Sequence, residues 1–342
     1  MRWANSTNYS STISFTNCRP RDRHSPVFLQ FPGCIMLSST LRSARISCAP
    51  FRPFSTGSSQ IKKIGVLGAG QMGGGIAQVA AQNGFEVIMM DNSESSLTRS
   101  LKLMDSLMTK NIAKGKLTED QKASTLSNIM TTTDINSFRE VDIVVEAVSE
   151  NPAVKHAIFT QLCGLTRPDT ILASNTSSIS ITKIAAATRR PDKVIGMHFM
   201  NPVPVMKLVE IIPGLATSQA TTDATLALAQ QMGKTTTISR DMPGFMANRL
   251  LMPYINEAVQ ALLEGVGSRD DIDTTMKLGC NMPMGPLTLA DFIGLDTCLS
   301  IMKILHSELG DSKYRPSPLL VKYVEAGWLG KKSGRGFYDY TQ

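Results

Sequence analysis

The segment from Ile64 to Asp91 limits what this chain can fold into more than any other. Ile64-Gly65-Val66-Leu67 is a short apolar run that suits a buried strand. Gly68-Ala69-Gly70-Gln71-Met72-Gly73 follows at once, then a helical stretch from Gly75 to Asn83. A second strand, Glu86-Val87-Ile88-Met89-Met90, ends in Asp91, 21 residues after Gly70. Strand, glycine turn, helix, strand and acid make a βαβ unit shaped for a dinucleotide. The three glycines Gly68, Gly70 and Gly73 allow a tight turn, a close approach to a pyrophosphate and close helix packing. The first helical turn, with Gln71 and Met72, offers free amides and the positive end of the helix dipole. Asp91 stands where an acid takes the ribose 2′-hydroxyl. Its charge repels a 2′-phosphate, so NAD is the expected cofactor rather than NADP.

Downstream, short apolar runs keep recurring: Ile143 to Val148, Ile171 to Ala173, Val194 to Met197, Leu208 to Ile212 and Thr235 to Ile238. A doubly wound α/β sheet is expected. Residues 93–130 interrupt that rhythm with two helix-like stretches, the second opened by the capping box Thr118-Glu119-Asp120-Gln121. This pair is expected to protrude from the sheet. Pro152 marks a helix start. Asp241-Met242-Pro243-Gly244 breaks the chain, and beyond it the pattern turns helical: Phe245 to Glu264, Ser268 to Leu278, Leu287 to Leu309 and Leu319 to Ala326. The organisation read from this is a Rossmann-type domain over 61–242 and an all-helical domain over 243–342. The helical part is apolar enough to meet a second copy, and a symmetric homodimer is expected. Met242, Met246, Met252, Met282 and Met284 are read as packing residues.

The net charge of +7 is a property of the leader. Residues 1–60 hold seven arginines, no lysine and the single acid Asp22, so the remainder is close to neutral. A nucleic-acid partner therefore has no basic footprint to bind, and no apolar run is long enough for a membrane span. An Arg-rich, Ser-rich, acid-poor leader has the composition of a transit peptide. Residues 1–57 are expected to direct the chain to the mitochondrial matrix. Arg52-Pro53-Phe54-Ser55 resembles a processing site, and the stretch from Met36 reads as a complete presequence, with Met36 as an alternative start. Cys18, Cys34 and Cys48 lie in the leader; Cys163, Cys280 and Cys298 are scattered without metal spacing, so no metal site is expected.

The candidate chemistry lies in Met197-His198-Phe199-Met200-Asn201-Pro202, followed by Glu210. A histidine at a strand end, with an acid twelve residues on across a Pro-rich turn, suits a base and its orienting carboxylate. His156 and His306 have no such setting and are read as structural. Ser174-Asn175-Thr176-Ser177-Ser178 is a polar cluster at a strand's carboxyl end, the edge where open α/β sheets bind ligands.

From Ile61 to Tyr340 the chain resembles the L-3-hydroxyacyl-CoA dehydrogenases, most closely the short single-function 3-hydroxybutyryl-CoA type. The resemblance rests on Gly68 to Gly73, Val145-Glu146-Ala147-Val148-Ser149-Glu150-Asn151, Ser174 to Ser178, His198 to Pro202, Pro243-Gly244-Phe245 with Asn248-Arg249, and Leu329 to Tyr338. It implies an acyl-CoA substrate, NAD as hydride acceptor, His198 as base and Glu210 as its orienting acid. It implies that Ser177 and Asn248 hold substrate oxygens, that Glu150 and Lys155 lie near the nicotinamide ribose, that Asn175 and Asn201 line the cleft and that Lys332 contacts the cofactor. Ser106 and Lys114, on the helix pair, fall near positions that hold CoA, as Ser177 also does. Two other readings remain: a sugar-acid (gulonate-like) dehydrogenase of the crystallin-related type, and a non-catalytic NAD-binding structural protein. The first needs no CoA, and the second has no use for an intact His198, Glu210, Ser177 and Asn248.

Overall fold

The computed structural model describes residues 61–341. The expected transit peptide, the start at Met36 and the processing site at Arg52–Ser55 lie outside the described residues. Eight strands form one sheet: β1 (Lys63–Leu67), β2 (Glu86–Met90), β3 (Ile129–Thr132), β4 (Ile143–Glu146), β5 (Ile171–Ser174), β6 (Val194–Phe199), β7 (Leu208–Pro213) and β8 (Thr235–Ile238). Their order is β3-β2-β1-β4-β5-β6-β7-β8. Only β7 runs against its neighbour, antiparallel to β6; the other pairs are parallel. The order reverses between β1 and β4, which opens a ligand crevice at their carboxyl ends.

Strand side chains alternate between two cores. Ile64, Val66, Met89, Val145 and Met197 meet α1 (Gln71–Gln82), α2 (Glu94–Ala113) and α6 (Gln219–Gln231) on one face. Ile88, Met90, Val144 and Leu172 meet α4 (Pro152–Leu165) and α5 (Ile181–Ala185) on the other. The helix pair is α2 and α3 (Glu119–Ser127), with the capping box present at Thr118 and Gln121. It leads into β3, which begins within the helix-like span expected over 93–130 and runs past its end. Ile129-Met130-Thr131-Thr132 is a half-exposed edge strand, too short and mixed to stand out as an apolar run. The sequence pattern does not mark α6, whose buried face mixes Thr221, Thr222 and Thr225 with Leu228 and Ala229. Thr221, Thr222 and Thr225 satisfy their hydroxyls on backbone carbonyls of Asp192, Ser218 and Thr221, which lets them pack like apolar residues.

After Gly244 the chain is helical: α7 (Ala247–Leu263), α8 (Arg269–Thr274), α9 (Pro286–Ile293), α10 (Leu295–Leu309) and α11 (Pro318–Glu325). These surround a third core, with Met252, Val259, Leu287, Leu295, Met302 and Leu320 at its centre. The single helix expected over Leu287–Leu309 is two, because Gly294 sits at φ 104° between α9 and α10. The C-terminal segment is pinned by buried Asp291, which accepts from the Phe337 and Tyr338 amides at 2.9 Å. Burial pushes the Asp291 carboxyl above its usual range.

Candidate active site

The glycine turn fits a dinucleotide. Gly68 has φ 103°, and a Cβ there would lie 2.7 Å from the Ala147 carbonyl oxygen. A Cβ on Gly73 would stand 1.8 Å from the Gly68 oxygen, so the helix start and the turn approach as only glycine permits. At Gly70 a Cβ would meet nothing within 4 Å, so this position faces open space. Gly70 is also the N-cap of α1 and supplies no capping side chain, leaving the first amides to a ligand. Asp91 follows β2. Its Oδ2 accepts from the Ala69 amide at 2.8 Å and its Oδ1 from the Ser93 amide at 2.9 Å. Gly68, Asp91, Ile135, Val148 and Ile158 line a pocket of 320 Å³, where an acid and apolar walls suit a ribose and a flat base. Met72 is half-buried against the first core, so its contribution to the turn is its backbone.

His198 and Glu210 are direct cross-strand partners on β6 and β7. Register therefore sets them side by side on one face of the sheet. His198 Nδ1 lies 2.9 Å from Glu210 Oε2, with the residues 6% and 1% exposed. The other carboxylate oxygen accepts from the amides of Met246 at 3.1 Å and Ala247 at 3.0 Å, at the start of α7. Glu210 is thus fixed by the helical region as well as by the sheet. The chain enters α7 through Gly244 at φ 74° and Phe245 at φ 48°. That bend brings the Phe245 ring to 5.8 Å from the His198 ring.

Ser177 sits on the loop after β5. Its amide donates to Glu150 Oε1 at 2.9 Å and its carbonyl accepts from Asn248 Nδ2 at 3.4 Å. Among the described residues its hydroxyl has no hydrogen-bond partner. Glu150 also accepts from the Thr176 hydroxyl and from the Ser178 amide and hydroxyl. Burial opposes ionisation of Glu150, but Lys155 and these donors outweigh it and hold the carboxyl below its usual range. Lys155 itself is only 1% exposed; its ammonium lies 2.7 Å from Glu146 and 3.4 Å from Glu150. Glu146 additionally accepts from the Ser174 hydroxyl and the Val148 amide. The two residues expected near the ribose therefore belong to a charge network at the Ser177 loop, with Lys155 and Glu146 buried and Glu150 at its exposed edge. Glu146 was given no role in the sequence reading. The signal was there: a carboxylate closing an otherwise apolar strand must be paired.

Asn175 Oδ1 accepts from the Phe199 amide at 2.8 Å, tying β5 to the end of β6. Asn201, before the cis Pro202, accepts from Gln71 Nε2 at 3.0 Å. A groove of 480 Å³ runs beside this contact, walled by Gly70, Gln71 and Gly74, by Asn201 to Pro204, and by Ser96, Arg99, Leu103, Met104 and Leu107 of α2. Lys114 caps the end of α2, seven residues past Leu107 and so on the same side of the helix. Ser106 is exposed and lies beside the stripe that lines the groove, not in it. Lys332 is paired with Asp296 at the start of α10, at 2.8 Å, and no hydrogen bond or ion pair among the described residues joins it to the glycine turn or to His198.

Comparison with known proteins agrees with this geometry. Residues 63–242 match the NAD binding domain of 3-hydroxyacyl-CoA dehydrogenase and residues 244–340 match its C-terminal domain. A protein of Bacillus subtilis (strain 168), described as a probable 3-hydroxybutyryl-CoA dehydrogenase, is 58% identical over 283 residues, 83% of this chain and 99% of that one. The mitochondrial hydroxyacyl-coenzyme A dehydrogenase of Homo sapiens is 45% identical over 288 residues, covering 82% of this chain and 91% of that one. The crystal structure of (S)-3-hydroxybutyryl-CoA dehydrogenase from Ralstonia eutropha superimposes with a TM-score of 0.80 at 49% identity, covering 83% of this chain and all of that one. With a dinucleotide turn, a buried His–Glu pair, both domains and these relatives in agreement, the chain belongs to the 3-hydroxyacyl-CoA dehydrogenase family.

Proposed function

We propose that this chain catalyses the reversible, NAD-dependent oxidation of L-3-hydroxyacyl-CoA to 3-ketoacyl-CoA, with His198 as the base. The observation that carries the reading is the buried His198–Glu210 pair at 2.9 Å, locked from behind by two amides of α7. Nδ1 is engaged by the carboxylate, so Nε2 is the nitrogen left for the substrate hydroxyl proton. Imidazole exchanges protons near neutral pH, and the carboxylate stabilises the imidazolium that forms. Bound NAD supplies the acceptor for the hydride that leaves C3. The cradle at Gly68 to Gly73 and Asp91 would hold it. Ser177 and Asn248 are joined across the cleft, one on the sheet loop and one on α7, and would orient the substrate oxygens. The groove beside Leu103 and Leu107 is apolar along its walls, with Arg99 at the lining and Lys114 further along the helix. That combination suits a pantetheine arm leading to phosphates.

The names of the similar proteins support a short acyl group such as 3-hydroxybutanoyl. The composition of residues 1–57 supports import into the mitochondrial matrix, and the human relative is described as mitochondrial. Leu250, Val266 and Leu278, 70%, 75% and 79% exposed on the helical region, support a homodimer formed there.

Substrate competition tests the reading. The protein is expected to oxidise NADH with acetoacetyl-CoA and not with free acetoacetate, and to leave gulonate untouched with NAD. Turnover of gulonate, with none of the CoA ester, would replace this reading by the sugar-acid one.

A further inference from the structure

Among the described residues, Lys234 is a buried cation with no acid to balance it. It follows Gly233, which ends the α6 region at φ 71°, and it precedes β8. Only 9% of the residue is exposed. Its ammonium donates to two backbone carbonyls, Val203 at 2.6 Å and Met206 at 2.9 Å. No carboxylate of the described residues pairs with it, and burial alone pulls its pKa down. Burying an ammonium on neutral partners is costly. A hydrophobic residue would pack there at less cost, unless the two carbonyls need a charged donor.

Both carbonyls belong to the turn between β6 and β7. Within that turn the Pro202 carbonyl accepts from the Val205 and Met206 amides. Val203 is 2% exposed and seats the turn on α1, where a Cβ on Gly75 would strike Val203 at 2.8 Å. Asn201, Pro202, Val203 and Pro204 form one wall of the groove whose other wall is α2. The turn is therefore held at three points: Asn201 on Gln71, Val203 against Gly75, and Lys234 on the Val203 and Met206 carbonyls. His198 and Glu210 lie outside the turn and are set by strand pairing.

We propose that Lys234 is a positioning residue for substrate: its ammonium holds the Asn201–Met206 turn in the shape that walls the acyl-CoA groove, and so sets affinity for the CoA portion without touching the reacting atoms. This rests on the acyl-CoA reading above.

The test uses the full chain, Lys234→Met and Lys234→Arg. Each is assayed with acetoacetyl-CoA and with S-acetoacetyl-N-acetylcysteamine, a thioester that lacks the nucleotide and most of the pantetheine. Amide hydrogen exchange is followed over residues 200–207 and beyond them. Loss of a charged donor to two carbonyls predicts a KM for acetoacetyl-CoA raised about tenfold in Lys234→Met. The kcat on the truncated thioester stays within about twofold, since His198 and Glu210 are set by strand pairing outside the turn. Exchange at Val205 and Met206 speeds up, and Lys234→Arg, which keeps charged donors, recovers part of the KM. Unchanged KM with unchanged exchange overturns the proposal. So does a fall of kcat on both thioesters with exchange faster well beyond the turn, which marks general destabilisation. Should Lys234→Met not fold, Lys234→Gln takes its place under the same two criteria. If wild-type protein turns over neither thioester, the acyl-CoA reading fails. The exchange arm then decides the clamp: faster exchange confined to the turn supports it, and unchanged exchange overturns it.

Discussion

Replacing Glu210 by glutamine keeps the shape of the side chain and changes only what each end can offer. In the native arrangement one oxygen faces His198 Nδ1 and the other accepts from the Met246 and Ala247 amides. A glutamine has one oxygen for these two tasks. Turned toward His198, it leaves two buried amides facing an NH₂ group, at about 1–3 kcal/mol for each unsatisfied donor. Turned toward the amides, it presents N–H to Nδ1, which must then accept, and the ring proton moves to Nε2. That tautomer cannot take a proton from the substrate. The second orientation is favoured by about 2–6 kcal/mol, or roughly 1.5 to 4 orders of magnitude in the productive form. Loss of the orienting acid in a serine-protease triad costs a similar amount, about 10⁴ in kcat. Steady-state reduction of NAD by L-3-hydroxybutanoyl-CoA, the direction in which His198 must accept the proton, should therefore show kcat down by about two to four orders of magnitude, with NADH affinity by fluorescence titration little changed. A kcat within tenfold of wild type would refute the tautomer argument.

Other predictions follow from the same geometry. Gly73→Ala places a Cβ 1.8 Å from the Gly68 oxygen and must displace the turn; NADH affinity should fall at least tenfold, by the cost of overpacking, and an unchanged affinity would show that the turn does not hold the cofactor. Asp91→Ala should weaken NAD and narrow the preference over NADP, measured as the ratio of their KM values; an unchanged ratio would place ribose recognition elsewhere. Glu150 is held below its usual range, so its ionised form stabilises the fold above about pH 4.3 and that contribution disappears as pH falls through the lower folded value. Glu150→Gln should therefore melt below wild type at pH 7 and approach it in acid. A gap in melting temperature that persists in acid would contradict the assignment of that shift to the folded state.

Much of the fold was legible because two periodicities were plain. Buried strands such as Ile143-Val144-Val145 announce themselves as apolar runs, and the glycine turn is marked by residues that only a close backbone approach requires. What escaped had its signal written in polar atoms. Helix α6 buries threonines whose hydroxyls bond back to carbonyls, so no apolar stripe marks it. The break at Gly294 depends on a positive φ that one glycine in a helical run does not announce. At the site, His198 and Glu210 are readable as a pair twelve residues apart, but the amides of Met246 and Ala247 that fix Glu210 come from the start of α7 and carry no side-chain signature. The role of Lys155 is tertiary in the same way: it is an ordinary charged residue until Glu146 and Glu150 close on it.

His198, oriented by Glu210, is proposed as the base of a CoA-thioester dehydrogenase. The most direct measurement is acetoacetyl-CoA-dependent oxidation of NADH by the protein lacking residues 1–57, beside its His198→Ala variant and with NADH binding measured on both. Turnover by the parent is expected, with a loss of about two to four orders of magnitude in the variant, as general acid–base catalysis supplies, and NADH binding kept by both. Turnover that survives the loss of His198, or NADH binding with no turnover in the parent, would contradict that role.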